Sequence, residues 1–227
     1  MVSANLIDVL EVLEKDKKIF EIFKSCPYYI LRQIKLKKYV PGEFVLNQGQ
    51  IYDTIFVIVE GEVDIYVESA QGKRFYFTSY KRGAFIGELE VFNRKPYMCY
   101  VEAKDAIITL EMTRNLFMER ISQDKQFHEY FTSFITNEHF KAMEEMCVHM
   151  LYPLKQKICR RLIENAELRG GGNTAMSAET LSAHMGVTTR SVQRVLKELR
   201  EKGIIDIHKT KVVILDMERL KKELNEQ

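Results

Sequence analysis

Long apolar runs are missing from this chain of 227 residues. Stretches such as Val212 to Leu215 stay far below the roughly 20 residues that cross a bilayer. The opening segment, MVSANLIDVLEVLEKDKKIFEIF, mixes acids and lysines into its apolar residues and so lacks the unbroken apolar stretch of a signal peptide. A cytoplasmic protein with no membrane partner is expected. Cysteine is sparse. Cys26, Cys99, Cys147 and Cys159 are widely spaced without a CxxC pair, the pattern of isolated reduced thiols. A thiol redox sensor stays open but has no motif behind it. The five histidines are dispersed as well and show no zinc-ligand spacing, so no metal site is expected. There is no internal repeat, no nucleophile–base pair and no nucleotide-hydrolysis loop, and nothing points to an enzyme.

What is present is ordinary globular material, 46% hydrophobic and 29% charged, in a chain long enough for two cores. The net charge of +2 hides an asymmetry. From Lys155 onward there are 15 Lys and Arg against 10 Asp and Glu, so the last third is the basic part, where a phosphate backbone would be met.

Residues 5–24 read as an amphipathic helix ended by Pro27. Between Lys38 and Leu110 the pattern turns to short strands. Pro41-Gly42, Gly61 and Gly72 punctuate it; Ile55, Val57 and Val59 alternate on one face, and after Gly61 the alternation resumes with Val63, Ile65 and Val67. An antiparallel sandwich or barrel is implied. Helical character returns from Thr113 to Tyr152, with one stripe of Phe127, Phe131 and Phe134 and another of Phe140, Met143, Cys147 and Met150. Either a boundary near Asn137 or a helix covered on more than one side explains the two phases. A symmetric partner helix would cover the second stripe economically, although packing on its own β domain is the alternative. Pro153 stops or kinks the helix and is a candidate hinge. A helix from Leu154 to Leu168 and the turn Gly170-Gly171-Gly172-Asn173 follow.

The stretch MSAETLSAHMGVTTRSVQRVLKELREKG carries the most information. Ser177 can cap a short helix with Leu181 and Met185 inward, Gly186 supplies a tight turn, and Thr188 can cap a second helix. Val192, Val195, Leu196 and Leu199 share its buried face. Thr189, Arg190, Gln193, Arg194 and Lys197 share the other, and Gly203 closes it. The segment GIIDIHKTKVVILDM reads as a hairpin turning near His208-Lys209-Thr210, a wing. In a winged helix-turn-helix, Thr189, Arg190, Gln193 and Arg194 would face base edges in the major groove, and Thr188, Ser191 and Lys197 the phosphates. A helical subdomain with a solvated basic face, or a helix-turn-helix used only for protein contacts, is the rival reading.

These residues carry a resemblance. GVTTRSVQRVLKELREKGII resembles the recognition region of the cyclic-AMP receptor/fumarate–nitrate regulator superfamily, and PGEFVLNQGQ, Gly61-Glu62-Val63 and GAFIGELEVF resemble its cyclic-nucleotide-binding β-roll. The resemblance covers nearly the whole chain. It implies an α+β protein with a jelly-roll-like β-roll sensor over residues 1–112, a helical linker and long dimerisation helix over 113–152, and a winged helix-turn-helix over 153–227. It further implies a homodimer on double-stranded, pseudo-palindromic operator DNA, with RNA polymerase as a further partner. Two departures are visible. Arg190 stands where the family commonly has a glutamate, four residues before the base-reading arginine that Arg194 matches, which implies an atypical operator. In the β-roll, Gly87, Glu88 and Leu89 match the start of the family's phosphate cassette, but Tyr97 and Met98 replace its Arg-Ser or Arg-Thr pair, with Arg94 displaced by three positions. Ala142 and Met143 align with polar residues that meet the adenine. An unpaired cyclic phosphate loses a charge-assisted bond worth roughly 1.5–3 kcal/mol. The expectation is therefore that cyclic AMP is not bound in the usual way, leaving another, more apolar effector or none. Gly87-Glu88-Leu89 kept only for a turn is the plainer alternative. The iron–sulfur branch's clustered cysteines are absent, and no haem ligand pair stands out.

Overall fold

The computed structural model describes residues 6–70, 74–171 and 173–225; the turn glycines Gly72 and Gly172 lie outside the described residues. Two compact units emerge, Met1–Glu68 with Phe77–Phe140, and Ser69–Tyr76 with Lys141–Gln227.

The first unit opens with helices α1 (Leu6–Lys15), α2 (Lys17–Phe23) and α3 (Tyr28–Leu31). The single helix expected over residues 5–24 is in fact two. Asp16 turns extended (φ −119°, ψ 102°) and accepts from the backbone N–H groups of Lys18 and Ile19, and an aspartate cap that satisfies orphan donors restarts the helix.

The strands follow as β1 (Lys35–Tyr39), β2 (Val45–Leu46), β3 (Thr54–Glu60), β4 (Glu62–Glu68), β5 (Arg74–Lys81) and β6 (Phe85–Ile86). After the four-residue α4 (Glu90–Asn93) come β7 (Tyr100–Glu102) and β8 (Ile107–Thr113). They form two four-stranded sheets, β1-β8-β3-β6 and β2-β7-β4-β5, and every described pairing is antiparallel. The alternation read from Ile55, Val57 and Val59 holds for one face of β3, which packs into the cluster of Val9, Phe23, Phe117 and Phe127 from the helices. Its other face is buried too. Phe56 and Ile58 join Phe44, Val63 and Val101 in a second cluster, so the central strand carries apolar residues on both sides.

Helix α5 (Arg114–Gln123) and the long α6 (Lys125–Leu151) complete this chain segment. The helix break falls at Asp124, not near Asn137. Asp124 ends α5 in an extended conformation, and its carboxylate accepts from the Phe127 N–H at 3.0 Å, so α6 runs unbroken through Asn137. Phe127 and Phe131 are buried and Phe134 packs beside them. Arg120 is buried completely, its guanidinium 3.6 Å from the Phe127 ring centroid and its Nε 3.4 Å from Asp124.

The second unit holds α7 (Leu154–Leu168), β9 (Asn173–Ser177), α8 (Ala178–Met185), α9 (Thr189–Glu201), β10 (Ile205–His208), β11 (Lys211–Ile214) and α10 (Met217–Asn225). Pro153 precedes α7 at φ −59°, the backbone value at which proline suits a helix start. The hairpin β10–β11 turns at Lys209 and Thr210, both at positive φ, and β9 pairs with β11 to make a third strand. Leu162, Leu181, Val192, Leu199, Ile205, Val212 and Leu220 form one core. The buried Glu223 of α10 accepts from Lys202 at 2.6 Å and also pairs with Lys155, tying the last helix to α7 and α9. The stretch Ser69–Tyr76 belongs to this unit, with Phe75 edge-on to His149 at 5.4 Å between centroids.

Candidate nucleic-acid interface and effector cassette

Helix α8 starts at Ser177, whose hydroxyl accepts from the Thr180 N–H at 3.1 Å. It ends at Gly186, at φ 62°, where a residue with a Cβ would be strained. Thr188 then caps α9, its hydroxyl accepting from the Ser191 N–H at 3.2 Å. These three residues fix the angle between the two helices. Val192, Val195, Leu196 and Leu199 anchor α9 in the core. The opposite face presents Arg190, Gln193, Arg194 and Lys197, all exposed, with Thr188 also exposed and Thr189 and Ser191 half-buried.

The salt bridges around α9 show which cations are already engaged. Arg200 pairs with Asp206 at 3.0 Å, Lys202 with Glu198 and Glu223, and Lys197 only loosely with Glu201 at 3.7 Å. Arg190 and Arg194 have no ion pair among the described residues. Thr189 is turned back to Ser182, hydroxyl to hydroxyl at 3.3 Å, and Ser191 to Thr188 at 2.9 Å. Both are partly engaged in holding the turn.

On α6 the two apolar stripes separate. The first is consumed by the first unit's core. The second is open: Phe140 is 64% exposed and Met150 75% exposed, with Met143 and Cys147 also exposed. Residues 133, 136, 140, 143, 147 and 150 alternate steps of three and four, the spacing of a coiled-coil seam. Ser133 and Thr136 are the polar start of that line. Ala142 and Met143, aligned by sequence with adenine-binding positions, are exposed on the part of α6 that belongs to the second unit.

The cassette of the first unit is built around Gly87. This residue sits at φ +86°, and a Cβ there would collide with the Tyr97 hydroxyl and lie 3.2 Å from the Thr54 carbonyl. The Tyr97 side chain thus presses on the backbone at the cassette's first residue. Tyr97 is only 4% exposed. Its backbone is pinned on both sides, Tyr97 N–H to Gln50 O and Gly49 N–H to Tyr97 O, each at 2.8 Å, and its ring stands edge-on to Tyr52 at 5.2 Å. Its hydroxyl has no hydrogen-bond partner. Met98 and Leu89 are exposed and do not line the interior. Arg94 is exposed as well, in a left-handed conformation that closes α4.

Glu88 accepts from the Tyr80 hydroxyl at 3.2 Å. Burial pushes its carboxyl up to about 7, with the charges of Glu90 and Glu138 adding to the shift and hydrogen bonds from its own N–H and Tyr80 opposing it. Burial also raises Glu90, and it raises the Cys99 thiol to about 11, with Glu90 and Glu88 contributing. Neither Glu88 nor Glu90 has a cation partner among the described residues. Sequence reasoning found Glu88 and Tyr97; it missed Tyr52, Tyr80 and Glu90, which only the folded strands bring to them.

Two families match the chain, the cyclic nucleotide-binding domain over residues 36–124 and the Crp-like helix-turn-helix domain over residues 156–223. Among curated relatives, the chain is 21% identical over 193 residues to the cAMP-activated global transcriptional regulator CRP of Salmonella typhimurium, covering 82% of this chain and 92% of that one. It is 22% identical over 195 residues to the cAMP-activated global transcriptional regulator Vfr of Pseudomonas aeruginosa, covering 81% and 91%. Among solved structures, the c-di-GMP responsive global regulator CLP of Xanthomonas campestris superposes with a TM-score of 0.73 at 15% identity, over 87% of this chain and 98% of that one. A CRP-family transcriptional regulator of Thermus thermophilus gives 0.68 at 19% identity, over 84% and 97%.

Proposed function

The chain belongs to the cyclic-AMP receptor/fumarate–nitrate regulator superfamily of DNA-binding transcription regulators, and from that membership we propose that it reads a pseudo-palindromic operator as a homodimer. Its β-roll does not take cyclic AMP in the usual way. The observation that carries the DNA reading is the one-sided α9, with four apolar residues buried and Arg190, Gln193, Arg194 and Lys197 exposed opposite them. Arg190 and Arg194 are free to fork onto guanine edges or phosphates, Gln193 to pair with adenine, and Lys197 and Thr188 to meet the backbone.

The dimer reading rests on the exposed seam of α6. An apolar line this long is costly in water, and a two-fold axis covers it with a second copy of itself. Such a dimer sets two copies of α9 in successive major grooves about one helical turn apart. The regulator then acts in the cytoplasm on RNA polymerase at promoters. A shift at the β-roll changes the placement of the DNA-binding units through Pro153, a population shift between two arrangements.

The deciding experiment selects binding sites from random double-stranded DNA and follows their affinity against salt concentration. A two-fold symmetric site, a steep salt slope and half-sites unlike the family's common sequence are expected. A shallow slope would instead favour the helix-turn-helix as a protein-contact module. Recovery of the usual half-site would reject the role given to Arg190.

A further inference from the structure

We infer that Lys155 and Lys202 are positioning residues for base reading: they hold Glu198 away from Arg194 and so keep that arginine open to DNA. The step rests on the reading of Arg194 as a base-contacting residue. Arg194 and Glu198 stand four residues apart on α9, the spacing at which opposite charges on a helix become neighbours and pair. Pairing of that kind does occur on this helix, since Lys197 lies 3.7 Å from Glu201 at the same spacing. Arg190, four residues before Arg194, adds like charge that an acid would relieve. Yet Arg194 is exposed and has no ion pair among the described residues, while Glu198 is turned elsewhere.

What turns it is a closed ring of four charges. Glu198 pairs with Lys155 at 2.9 Å and with Lys202 at 3.3 Å. Glu223 takes the same two lysines from the other side, Lys202 at 2.6 Å and Lys155 as well. The corners alternate in sign and come from three helices. Lys155 opens α7, Glu198 lies on α9 with Lys202 at its C-cap, and the buried Glu223 lies on α10. Hydrogen bonds from Lys155 foremost, and from Lys202, hold the Glu198 carboxyl below its ordinary value, so it is a full negative charge at neutral pH. Without Lys155 that charge is shared between Lys202, four residues on, and Arg194, four residues back. A guanidinium paired within the protein must break that pair before it forks onto a base. The ring thus lets α9 carry an acid beside its reading face without silencing the reader.

The test is competition anisotropy of the full chain on two duplexes, the selected operator and the same operator changed at the base pair that Arg194→Ala ceases to distinguish. Lys155→Gln should lower the ratio of the two affinities about two- to fivefold, the order of one exposed charge pair. Glu198→Gln should leave the ratio at the wild-type level, and adding Glu198→Gln to Lys155→Gln should restore it. Thermal melts check that the variants fold, Lys202 remaining on Glu223 in each. A ring that only braces the fold would weaken both duplexes alike in Lys155→Gln, with no change of ratio, and that result overturns the inference. A lowered ratio that persists in the double variant overturns it too. If Arg194→Ala distinguishes every base pair as the wild type does, the base-reading role of Arg194 falls and the inference with it. If Arg194→Ala loses one base pair while Lys155→Gln keeps the full ratio, the inference alone falls.

Discussion

Replacing Glu88 with Gln should stabilise this protein above neutral pH, which is the opposite of what removing a buried hydrogen-bonding carboxylate usually does. The folded carboxyl titrates at about 7 against an ordinary value of 4.5. Between those two values the folded chain holds a proton that the unfolded chain has released. Stability from this group is therefore complete below about pH 4.5, falls as pH rises through the window, and stays at its reduced level above about 7. At 1.36 kcal/mol per unit, the full displacement corresponds to about 3 kcal/mol. Glu88 is only half-buried as a residue, so solvent relaxation reduces this, and about 1–3 kcal/mol is the expected gain at pH 8. Glutamine keeps an acceptor for the Tyr80 hydroxyl, so the Glu88→Gln variant changes the charge and little else.

The measurement is differential scanning calorimetry of both proteins at pH 5, 6, 7 and 8, following the transition of the first unit. The gap in Tm should open progressively across the series, reaching several degrees at pH 8 on the scale of about 2–4 °C per kcal/mol. Other groups titrate in both proteins alike, so the difference isolates Glu88. Two curves running parallel from pH 5 to 8, or a variant less stable at pH 8, would refute the account of a carboxylate buried without a cation.

Further outcomes follow from the same structure. Arg194→Ala should relax base preference at its position, at a cost of about 1–3 kcal/mol in operator affinity. Lys197→Ala should instead weaken all DNA alike and lower the salt slope by about one, and anisotropy on matched and mismatched duplexes separates the two. Met143→Glu should shift sedimentation from dimer toward monomer, and mild oxidation of the unaltered protein should link two chains through Cys147, since facing seam positions bring Cα atoms to the roughly 6 Å a disulfide needs; no linked species on a non-reducing gel, with Cys147→Ser as control, would count against a parallel seam. Glu223→Gln should cost the second unit about 1–2 kcal/mol in a urea melt. Burial raises the Glu223 carboxyl, but Lys155 and Lys202 outweigh it and hold it below its ordinary value, so the wild-type advantage is present above that value and fades in acid. Pro153→Ala should leave the Tm of both units nearly unchanged while altering DNA affinity in the full chain; unchanged affinity would remove Pro153 as a hinge.

The helix-turn-helix was legible because its determinants are local. Ser177, Gly186, Thr188 and Gly203 act on backbone within four residues of themselves, and the buried stripe of α9 repeats at helical spacing. Asp16 and Asp124 act just as locally, yet each lies inside a run whose apolar period continues past it. There a cap looks like one more polar residue on a solvated face. Strand β9 and helix α10 were invisible for another reason. β9 is held by its pairing with β11, and α10 by Glu223 reaching Lys155 and Lys202, so what fixes them lies tens of residues away. Arg120 is the extreme case, a charge with no exposed surface whose aromatic neighbours, Phe23 and Phe127, come from α2 and α6 and whose aspartate, Asp124, caps its own helix.

The cassette shows where alignment and geometry part company. The sequence puts Tyr97 and Met98 together in one pocket, but they lie in the loop before β7, which bends at Met98, and the structure buries the first and exposes the second. With Met98 outside, Tyr97 alone of the pair faces inward, packed with Phe44, Phe56, Ile58 and Val101 in the apolar core, at the place where the resemblance calls for arginine. The aromatic side chain at this inward position comes close beside Gly87, whose positive φ and lack of a Cβ allow the approach of the Tyr97 hydroxyl, so the Gly87 turn of the motif is kept while the residue packed against it is not the arginine that the resemblance calls for.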